Sequence, residues 1–387
     1  MTNSSRLSAL KPQFGVLLFD LLLAIVCGCG PKDGVQEIRD GRAAYANGDY
    51  RKAEKLYLRA EKLNPANADA PLGLAELKLR QGELAEAKKW IARAEKLAAG
   101  DCDIRLLGAQ IAWHAKDYRR AVQLFDGVAN DVALAPEIRS QGFAGRGIVE
   151  LACNEHDLAR IAFLRAIRLD RRNASAWYHL GLLYRFEPFA YNEAALDQFE
   201  IFIRLEQDAS PRVQKTQRVI IPALKDQIAR AAMDRPGAAR RNSAACAAAI
   251  AKAEQSIAKG AYKTALQHYR AAMEADVLSY PAALGFAKTQ LKVDPSASGE
   301  KKAFEAYRTA CILRPSAVST FLVTGRLAEK LALYAQAREI YSRAVAANPA
   351  SLDAVDGLIR AIRKTGTDNR VAKAYQAYRD TLPKGKR

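Results

Sequence analysis

The chain has 387 residues, of which half are apolar and 26% are charged, and its formal net charge is +18. This length fits about two or three packing units or one repetitive array, and the apolar content excludes a chain that is disordered throughout. With four histidines, three tryptophans and three methionines, the composition disfavours a metal or redox enzyme.

The N-terminal segment, 1–28, has the pattern of an export signal. Arg6 and Lys11 precede an apolar run of thirteen residues at 14–26. This run matches the apolar core of a signal peptide and is too short to span a bilayer comfortably. Pro31 and Gly34 then separate the run from the rest of the chain.

The residues that close this segment resemble the lipobox of bacterial lipoproteins. An aliphatic residue, Val26, stands three places before Cys29 and a small residue stands directly before it. The resemblance implies that residues 1–28 are removed and that Cys29 becomes a lipidated N-terminus, followed by an anchor segment at 29–33. Gly30 is not the aspartate that commonly retains such proteins in the inner membrane, so the resemblance implies the outer membrane, facing the periplasm.

Two residues depart from the lipoprotein pattern. Cys27 is unusual at its place, and Asp20 lies inside the apolar run, where a central acid costs about 2.5 to 3.5 kcal/mol on membrane-insertion scales. The alternative is a buried N-terminal helix of a cytoplasmic protein. The two interpretations therefore differ in localisation, which is either a lipid anchor in the cell envelope or the cytoplasm.

A repeating pattern organises the chain from Gly34 onward. Its marker pair is a small residue followed four places later by an aromatic or aliphatic one. Half of the steps between successive markers are 34 residues long, as from Ala53 to Ala87. The nine marker pairs are Ala53/Tyr57, Ala87/Ile91, Ala121/Phe125, Ala159/Phe163, Ala195/Phe199, Ala265/Tyr269, Ala303/Tyr307, Ala337/Tyr341 and Val371/Tyr375.

This pattern resembles the tetratricopeptide repeat, whose period is about 34 residues. Trp177, Leu180, Gly181 and Tyr184 match the start of the family motif residue for residue. The resemblance implies an all-α fold, a right-handed superhelical solenoid of antiparallel helix pairs, in which the first helix of each pair lines a concave binding surface.

Prolines predict where the second helices end. Pro65, Pro315 and Pro349 each follow a marker pair by eight or more residues. Because proline removes a backbone donor and disfavours a helical residue before it, we expect helix ends at these three places.

One step of about double length, from Ala195 to Ala265, divides the predicted array. We expect about five repeats in 34–209, a degenerate repeat or a capping helix plus linker in 210–243, and about four repeats, including a C-terminal capping pair, in 244–387. In the preferred interpretation a degenerate repeat with a turn at Pro222 keeps the solenoid nearly continuous. In the other, a capping helix ends one array and residues 235–243 form a linker.

The sequence carries no recognisable catalytic or cofactor motif. No two histidines have the helical spacing that would place both on one metal, and Gly-rich phosphate loops and nucleophile elbows do not occur. We therefore expect no enzyme activity, no metal and no cofactor. Beyond the N-terminal segment the cysteines lack C-x-x-C spacing, and we interpret them as small core residues with free thiols. They are Cys102, Cys153, Cys246 and Cys311.

The family's groove-facing positions on the first helices give the candidate binding residues. In the first three repeats these are Arg42, Tyr45, Glu76, Arg80, Gln110, Trp113 and His114. The fifth repeat gives Tyr178 and Arg185, and the last two give Arg326, Glu329, Lys330, Arg360, Arg363 and Lys364. The near end is mixed in charge and partly aromatic, whereas the far end is basic, so acidic segments are favoured there.

Charge adds to this asymmetry, since Lys and Arg outnumber Asp and Glu by 31 to 16 from residue 206 onward. The resemblance implies a lipid-anchored interaction scaffold that binds a protein or an extended peptide, as assembly factors of this layout do. The alternative is a cytoplasmic adaptor whose basic C-terminal half binds acidic protein segments or nucleic acid. Nucleic acid is disfavoured because no stacking motif of interleaved aromatic and basic residues is present. The sequence leaves the partner and the oligomeric state open.

Overall fold

A computed structural model shows helices joined by short turns, and the residues it describes include no strand. The all-α fold of consecutive helix pairs predicted from the sequence is confirmed. The described residues are 33–186, 188–206, 210–366 and 368–383.

The candidate signal peptide and Cys29 lie outside the described residues. Within the described ranges, the longest apolar helices fall short of what is needed to cross a membrane.

The first of two compact units ends at Leu124. In it α1 packs against α2 and α3 against α4, and each of these second helices also packs against the first helix that follows it. The helices are α1 (Val35–Ala46), α2 (Tyr50–Leu63), α3 (Asp69–Arg80), α4 (Leu84–Leu97), α5 (Cys102–His114) and α6 (Tyr118–Ala129), the last of which contains the division between the units.

The second unit begins at Phe125, and its described residues form six further helix pairs. The first four helices are α7 (Pro136–Ala152), α8 (His156–Leu169), α9 (Ala174–Arg185) and α10 (Asn192–Leu205). After them come α11 (Pro211–Lys215) and α12 (Ile221–Met233). The remaining pairs are α13 (Ser243–Ala258) with α14 (Tyr262–Ala275), α15 (Tyr280–Val293) with α16 (Ala297–Leu313), α17 (Val318–Lys330) with α18 (Tyr334–Ala347), and α19 (Leu352–Thr365) with α20 (Asn369–Asp380).

The marker pairs form the core of this fold. All eighteen marker residues are buried, and none is more than 5% exposed. The ring of Tyr57 on α2 lies between Gly41 of its own pair and Gly73 of the next, and a Cβ atom at either glycine would approach the ring to 2.7 Å. Tyr341 on α18 has the same arrangement. Small residues on the first helices thus allow close packing around each ring.

The predicted helix ends at proline are confirmed. Helices α2, α16 and α18 end two residues before Pro65, Pro315 and Pro349 respectively.

The segment that follows α10 is helical and packs against it. A π-helical turn at Thr216–Ile220 joins α11 to α12, and Pro222 lies in the first turn of α12. The wider turn accommodates the missing proline N–H, so the helix continues where the degenerate-repeat interpretation expected a turn. Burial of Val213, Ile220 and Leu224 on one face holds the helix in place.

Residues 235–243, a linker in the second interpretation, are held against α14. Arg241 donates to both carboxylate oxygens of Asp276, at 2.8 and 3.2 Å, and this bond lowers the pKa of Asp276. The side chain of Asn242 caps α13, while its backbone N–H donates to the carbonyl of Ala275. Whether the array is continuous here stays a prediction.

A buried charged group, the Arg160 cluster, joins second helices that are far apart in the second unit's sequence. The guanidinium of Arg160 on α8 is fully buried and donates to the hydroxyls of Tyr375 on α20, at 2.6 Å, and Ser342 on α18, at 2.5 Å. Asp157 accepts from Arg160 at 3.0 Å and from Arg338 on α18 at 2.7 Å. These five residues therefore tie the start of the unit to its last two second helices.

Replacing Gly73 by alanine should destabilise the first unit. The added Cβ would overlap the Tyr57 ring, and overpacking of this kind costs about 1 to 3 kcal/mol of unfolding free energy. Urea denaturation followed by circular dichroism measures this change. The control is Gly100→Ala, because a Cβ there meets no atom within 4 Å; equal losses in both variants would refute the ring-packing explanation.

Replacing Asp157 by asparagine should lower the unfolding free energy of the second unit and make this free energy depend less on pH under acidic conditions. Burial alone would raise the pKa of Asp157, but Arg160, Arg338 and the Tyr375 hydroxyl bring it below its ordinary value of 3.8. A depressed folded pKa contributes stability above about pH 4 that is lost as the pH falls through the folded value. Asp157→Asn removes this contribution and leaves a buried cation unpaired, at a cost of about 3 to 5 kcal/mol at neutral pH.

Denaturation of the wild type and Asp157→Asn from neutral pH to below pH 4 measures both effects. Asp353→Asn is the matched control, since it breaks an exposed ion pair with Arg326 whose contribution is about 0 to 1 kcal/mol. If the unfolding free energy of Asp157→Asn decreased with falling pH as steeply as that of the wild type, the acid sensitivity could not be assigned to Asp157.

Candidate functional site

The exposed side of the first helices in the first unit forms the leading candidate site. We call it the first-helix surface. Helices α1, α3 and α5 each supply residues to it, which are all exposed or half-buried. Its members are Arg42, Tyr45, Glu76, Arg80, Gln110, Trp113 and His114.

Contacts between neighbouring repeats fix several of these side chains. Arg80 donates from Nε to the hydroxyl of Tyr45 at 3.3 Å, and its guanidinium lies 5.8 Å from the centre of the Tyr45 ring. Arg42 makes an ion pair with Asp69 of the next repeat at 2.8 Å. Burial and the Glu76 carboxylate raise the pKa of Tyr45 despite Arg80, so the phenol is neutral at physiological pH.

Trp113 and His114 form the aromatic end of the surface. Their rings meet edge to face with centroids 4.6 Å apart, and His114 is exposed. Trp113 is half-buried, which leaves part of the indole accessible. A half-buried tryptophan beside charged groups provides both apolar contact area and polar edges for a ligand.

Tyr178 and Arg185 on α9 are packed more tightly than the sequence analysis expected. The Tyr178 ring lies 5.0 Å from the ring of Phe202, and the guanidinium of Arg212 on α11 lies 4.9 Å from its centroid. Arg185 lies 5.1 Å from the centroid of the neighbouring Phe186 ring. The helix after the fifth repeat thus covers part of the surface that Tyr178 was predicted to offer.

The basic residues near the C-terminus are largely paired within the chain. Arg326 contacts Asp353 at 3.1 Å, and Arg360 makes two hydrogen bonds to Glu329 at 3.0 and 3.2 Å. Lys330 pairs with Glu300. These carboxylates cancel much of the positive charge that the sequence analysis assigned to this end.

Two cations of this group are not neutralised in this way. Arg363 and Lys364 are exposed and make no ion pair with the described residues, although Lys364 lies 5.9 Å from the centre of the Tyr334 ring. They are therefore the groups left to attract an acidic ligand at the C-terminal end.

Sequence patterns did not lead to Asp353 as a site residue, and they gave Glu329 without its pairing to Arg360. A periodic signal was present, because Arg42 and Asp69 are 27 positions apart and so are Arg326 and Asp353. Each pair links the first helix of one repeat to the start of the next first helix. The spacing of opposite charges between successive repeats would have revealed them.

One group of described residues could in principle offer three ligands to a metal: Asp101, Cys102 and Asp103. Its members already have another role, since the Asp101 carboxylate caps α5 by accepting from the N–H groups of Asp103 and Ile104. Burial and the flanking aspartates raise the pKa of Cys102, which disfavours the thiolate that a metal would require. The contacts thus assign this group to helix capping.

The prediction that the cysteines are core residues is correct in part. Cys246 and Cys311 are buried, and burial raises the pKa of Cys311 to about 11. Cys102 is only half-buried and Cys153 is exposed, because they lie at the start of α5 and the end of α7. For Cys153 the prediction is wrong.

Comparison with known proteins bears on the first unit. Residues 44–111 match the family described as Tetratricopeptide repeat. A stretch of 159 residues is 25% identical to protein O-mannosyl-transferase TMTC3 of Mus musculus, covering 37% of this chain. That match spans only 17% of the length of the mouse protein.

Similar solved structures include PilF, PilW and YrrB. PilF of Pseudomonas aeruginosa is 17% identical with a TM-score of 0.41, covering 67% of this chain and 98% of PilF. PilW, a type IV pilus biogenesis factor, is 13% identical with a TM-score of 0.39, covering 63% and 94%. YrrB, described as having an unusual peptide-binding site, is 17% identical with a TM-score of 0.34, covering 48% and 93%.

TM-scores this low carry no argument about function. The family match covers residues of the first three helix pairs, and the buried marker pairs recur in the described pairs beyond it. The match to the tetratricopeptide repeat family thus covers residues 44–111.

Proposed function

We propose that this chain is a non-enzymatic scaffold that binds a protein or an extended peptide on the first-helix surface of its first unit. The observation that supports this most is the accessible combination of aromatic and charged side chains on three successive first helices, with Tyr45 and Arg80 oriented by contact with each other. Stacked repeats present extended surfaces of this kind to peptides.

The chemistry of the surface defines the ligand. Trp113 and Tyr45 suit an aromatic or aliphatic side chain, while Arg80 and Glu76 suit a segment with charges of both signs. We therefore expect a mixed-charge peptide with one or two apolar anchors. Acidic segments at the C-terminal end stay a second prediction, which depends on Arg363 and Lys364.

We also propose that Cys29 is lipidated and holds the scaffold at the outer membrane, facing the periplasm. Support comes from the apolar run at 14–26 and the lipobox-like residues that end at Cys29. The competing interpretation is a cytoplasmic adaptor, and the two differ in a direct measurement of acylation.

Removing the aromatic anchors should release the partner. A photo-crosslinking amino acid at Gln110 of α5 should give a discrete adduct in cells, and Tyr45→Ala with Trp113→Ala should reduce it at least tenfold, because buried aromatic anchors contribute about 2 kcal/mol or more each. The yield of adduct on a denaturing gel is the measurement. Tyr262→Ala on α14 serves as the control for loss of an aromatic residue elsewhere.

A crosslinker at Arg119, on the second helix α6, is the positional control and should not trap the same partner. Adducts at Gln110 that persist in the double variant would contradict the proposed site. Circular dichroism of each variant separates loss of binding from loss of folding.

The anchor has its own test. Cells fed an alkyne fatty acid should label the wild type, whereas Cys29→Ser should lose the label and shift the protein from the membrane to the soluble fraction. Cys27→Ser is the matched control and should retain both label and location. Labelling that survives in Cys29→Ser would contradict lipidation at Cys29, and a wild type without label would favour the cytoplasmic alternative.

A further inference from the structure

The second helices of the first two repeats carry lysines at matching positions. Lys55 and Lys62 on α2 correspond to Lys89 and Lys96 on α4, each one repeat later in the chain. All four are exposed. They follow the buried marker alanine by two and nine positions, which places them on the side of the helix opposite to the core. We call these four residues the lysine stripe.

Most carboxylates on the same helices pair with cations outside the stripe. Glu54 of α2 pairs with Lys78 at 2.8 Å, and Glu95 of α4 pairs with Arg120 at 2.8 Å. Glu61 of α2 pairs with Arg93.

The stripe lysines are mostly free of such pairs. Lys55, Lys62 and Lys96 make no ion pair with any residue in the described part of the chain. Lys89 pairs with Glu86, and its side chain is 71% exposed. Like charges on the same helix face gain nothing for folding, and a counter-charged partner would relieve their repulsion.

Later repeats show that the repeat itself does not require these lysines. The residues two positions after the marker alanines are Gln267, Glu305 and Glu339, and those nine positions after are Glu274, Ile312 and Ala346. At equivalent places these three second helices are neutral or acidic. The second helices of Ala159, Ala195 and Val371 carry a basic residue at one of the two places, namely Arg168, Arg204 and Lys373, but none carries a basic residue at both. The stripe is a specific property of the first two repeats.

An exposed leucine accompanies the stripe. Leu58 lies between Lys55 and Lys62 on α2 and is 37% exposed. Together with Arg51, Arg59 and one carboxylate, Glu54, these residues line a shallow depression of about 550 Å³. Glu54 pairs with Lys78, so the depression keeps an excess of positive charge. An apolar side chain among mostly basic residues suits the boundary between phospholipid headgroups and acyl chains, where lysine stems also bury while their ammonium groups reach phosphate.

We propose that the lysine stripe and Leu58 form a membrane-contact surface for anionic phospholipid headgroups. This surface lies on the second helices and is separate from the peptide-binding surface proposed above, so one unit can bind both. Each lysine near an anionic membrane strengthens binding about fivefold, which corresponds to about 1 kcal/mol. The contact does not depend on Cys29, and it would add to an acyl anchor where one is present.

The test uses the full chain carrying Cys29→Ser, so that no acyl chain contributes. Sedimentation with phosphatidylcholine vesicles, with and without phosphatidylglycerol, gives the affinity of each variant at low and high salt. We compare the unaltered stripe with the quadruple variant Lys55→Gln, Lys62→Gln, Lys89→Gln and Lys96→Gln. The N-terminal apolar segment is the same in both, so its contribution cancels.

The stripe variant should bind phosphatidylglycerol vesicles at least a hundredfold more weakly and lose most of its salt dependence. Leu58→Ala should weaken binding severalfold without changing the salt dependence. The matched control removes four exposed lysines from the second unit, with the same change in net charge, and should bind as before. Its substitutions are Lys252→Gln, Lys263→Gln, Lys301→Gln and Lys302→Gln.

Equal weakening in the stripe and control variants would mean that net charge alone attracts the membrane, and would overturn the proposal. Unchanged binding in the stripe variant would overturn it as well. A single-stranded RNA fragment is the third arm: if it binds through the stripe and phosphatidylglycerol vesicles do not, the surface recognises nucleic acid and the lipid assignment is wrong. Circular dichroism checks that every variant is folded.

Discussion

The fold depends on the approach of small first-helix residues to an aromatic ring on the neighbouring second helix. Tyr57 between Gly41 and Gly73 shows the constraint, since one added carbon atom would overlap the ring. Burying such a side chain contributes about 1.5 to 3 kcal/mol, which is available only while both neighbouring helices stay close. A ring placed in this way joins its own helix pair to the next. The same packing sets the distance between successive first helices and therefore between their exposed side chains.

The Arg160 cluster follows a different principle. A buried guanidinium is costly to desolvate, and here Asp157, Tyr375 and Ser342 compensate that cost with hydrogen bonds. Burial opposes the charged form, but Tyr375 and Asp157 raise the pKa of Arg160, so the side chain stays protonated. Because such a cluster is satisfied in one arrangement only, it specifies how α8 meets α18 and α20 more than it adds to stability.

Local patterns revealed the repeats, and contacts between distant segments could not be read from them. The marker pairs and helix-ending prolines depend on neighbours within one or two helices, so periodicity located them. Two partners of Arg160, Ser342 and Tyr375, lie 182 and 215 positions away, and nothing in a single repeat indicates which face meets another. At the candidate site, the sequence predicted which residues lie on first helices, as for Arg326 and Arg360. It did not predict their ion pairs with Asp353 and Glu329, which only the structure reveals. The π-helical turn before Pro222 likewise depends on how α11 and α12 pack against α10.

The Arg160 cluster, which joins α8 to α18 and α20, also affects how the second unit unfolds. A linear array of repeats frays from its ends, because a terminal pair has one neighbour and leaves at little cost. Here the last second helix, α20, is bonded to α8 as well as packed on α19. Its release therefore requires rupture of contacts near the start of the second unit, so we expect the amide protons of the terminal pair to exchange only when the whole unit unfolds. We therefore expect the second unit to unfold in one cooperative step, as a globular domain does, and not by gradual loss of repeats from its ends.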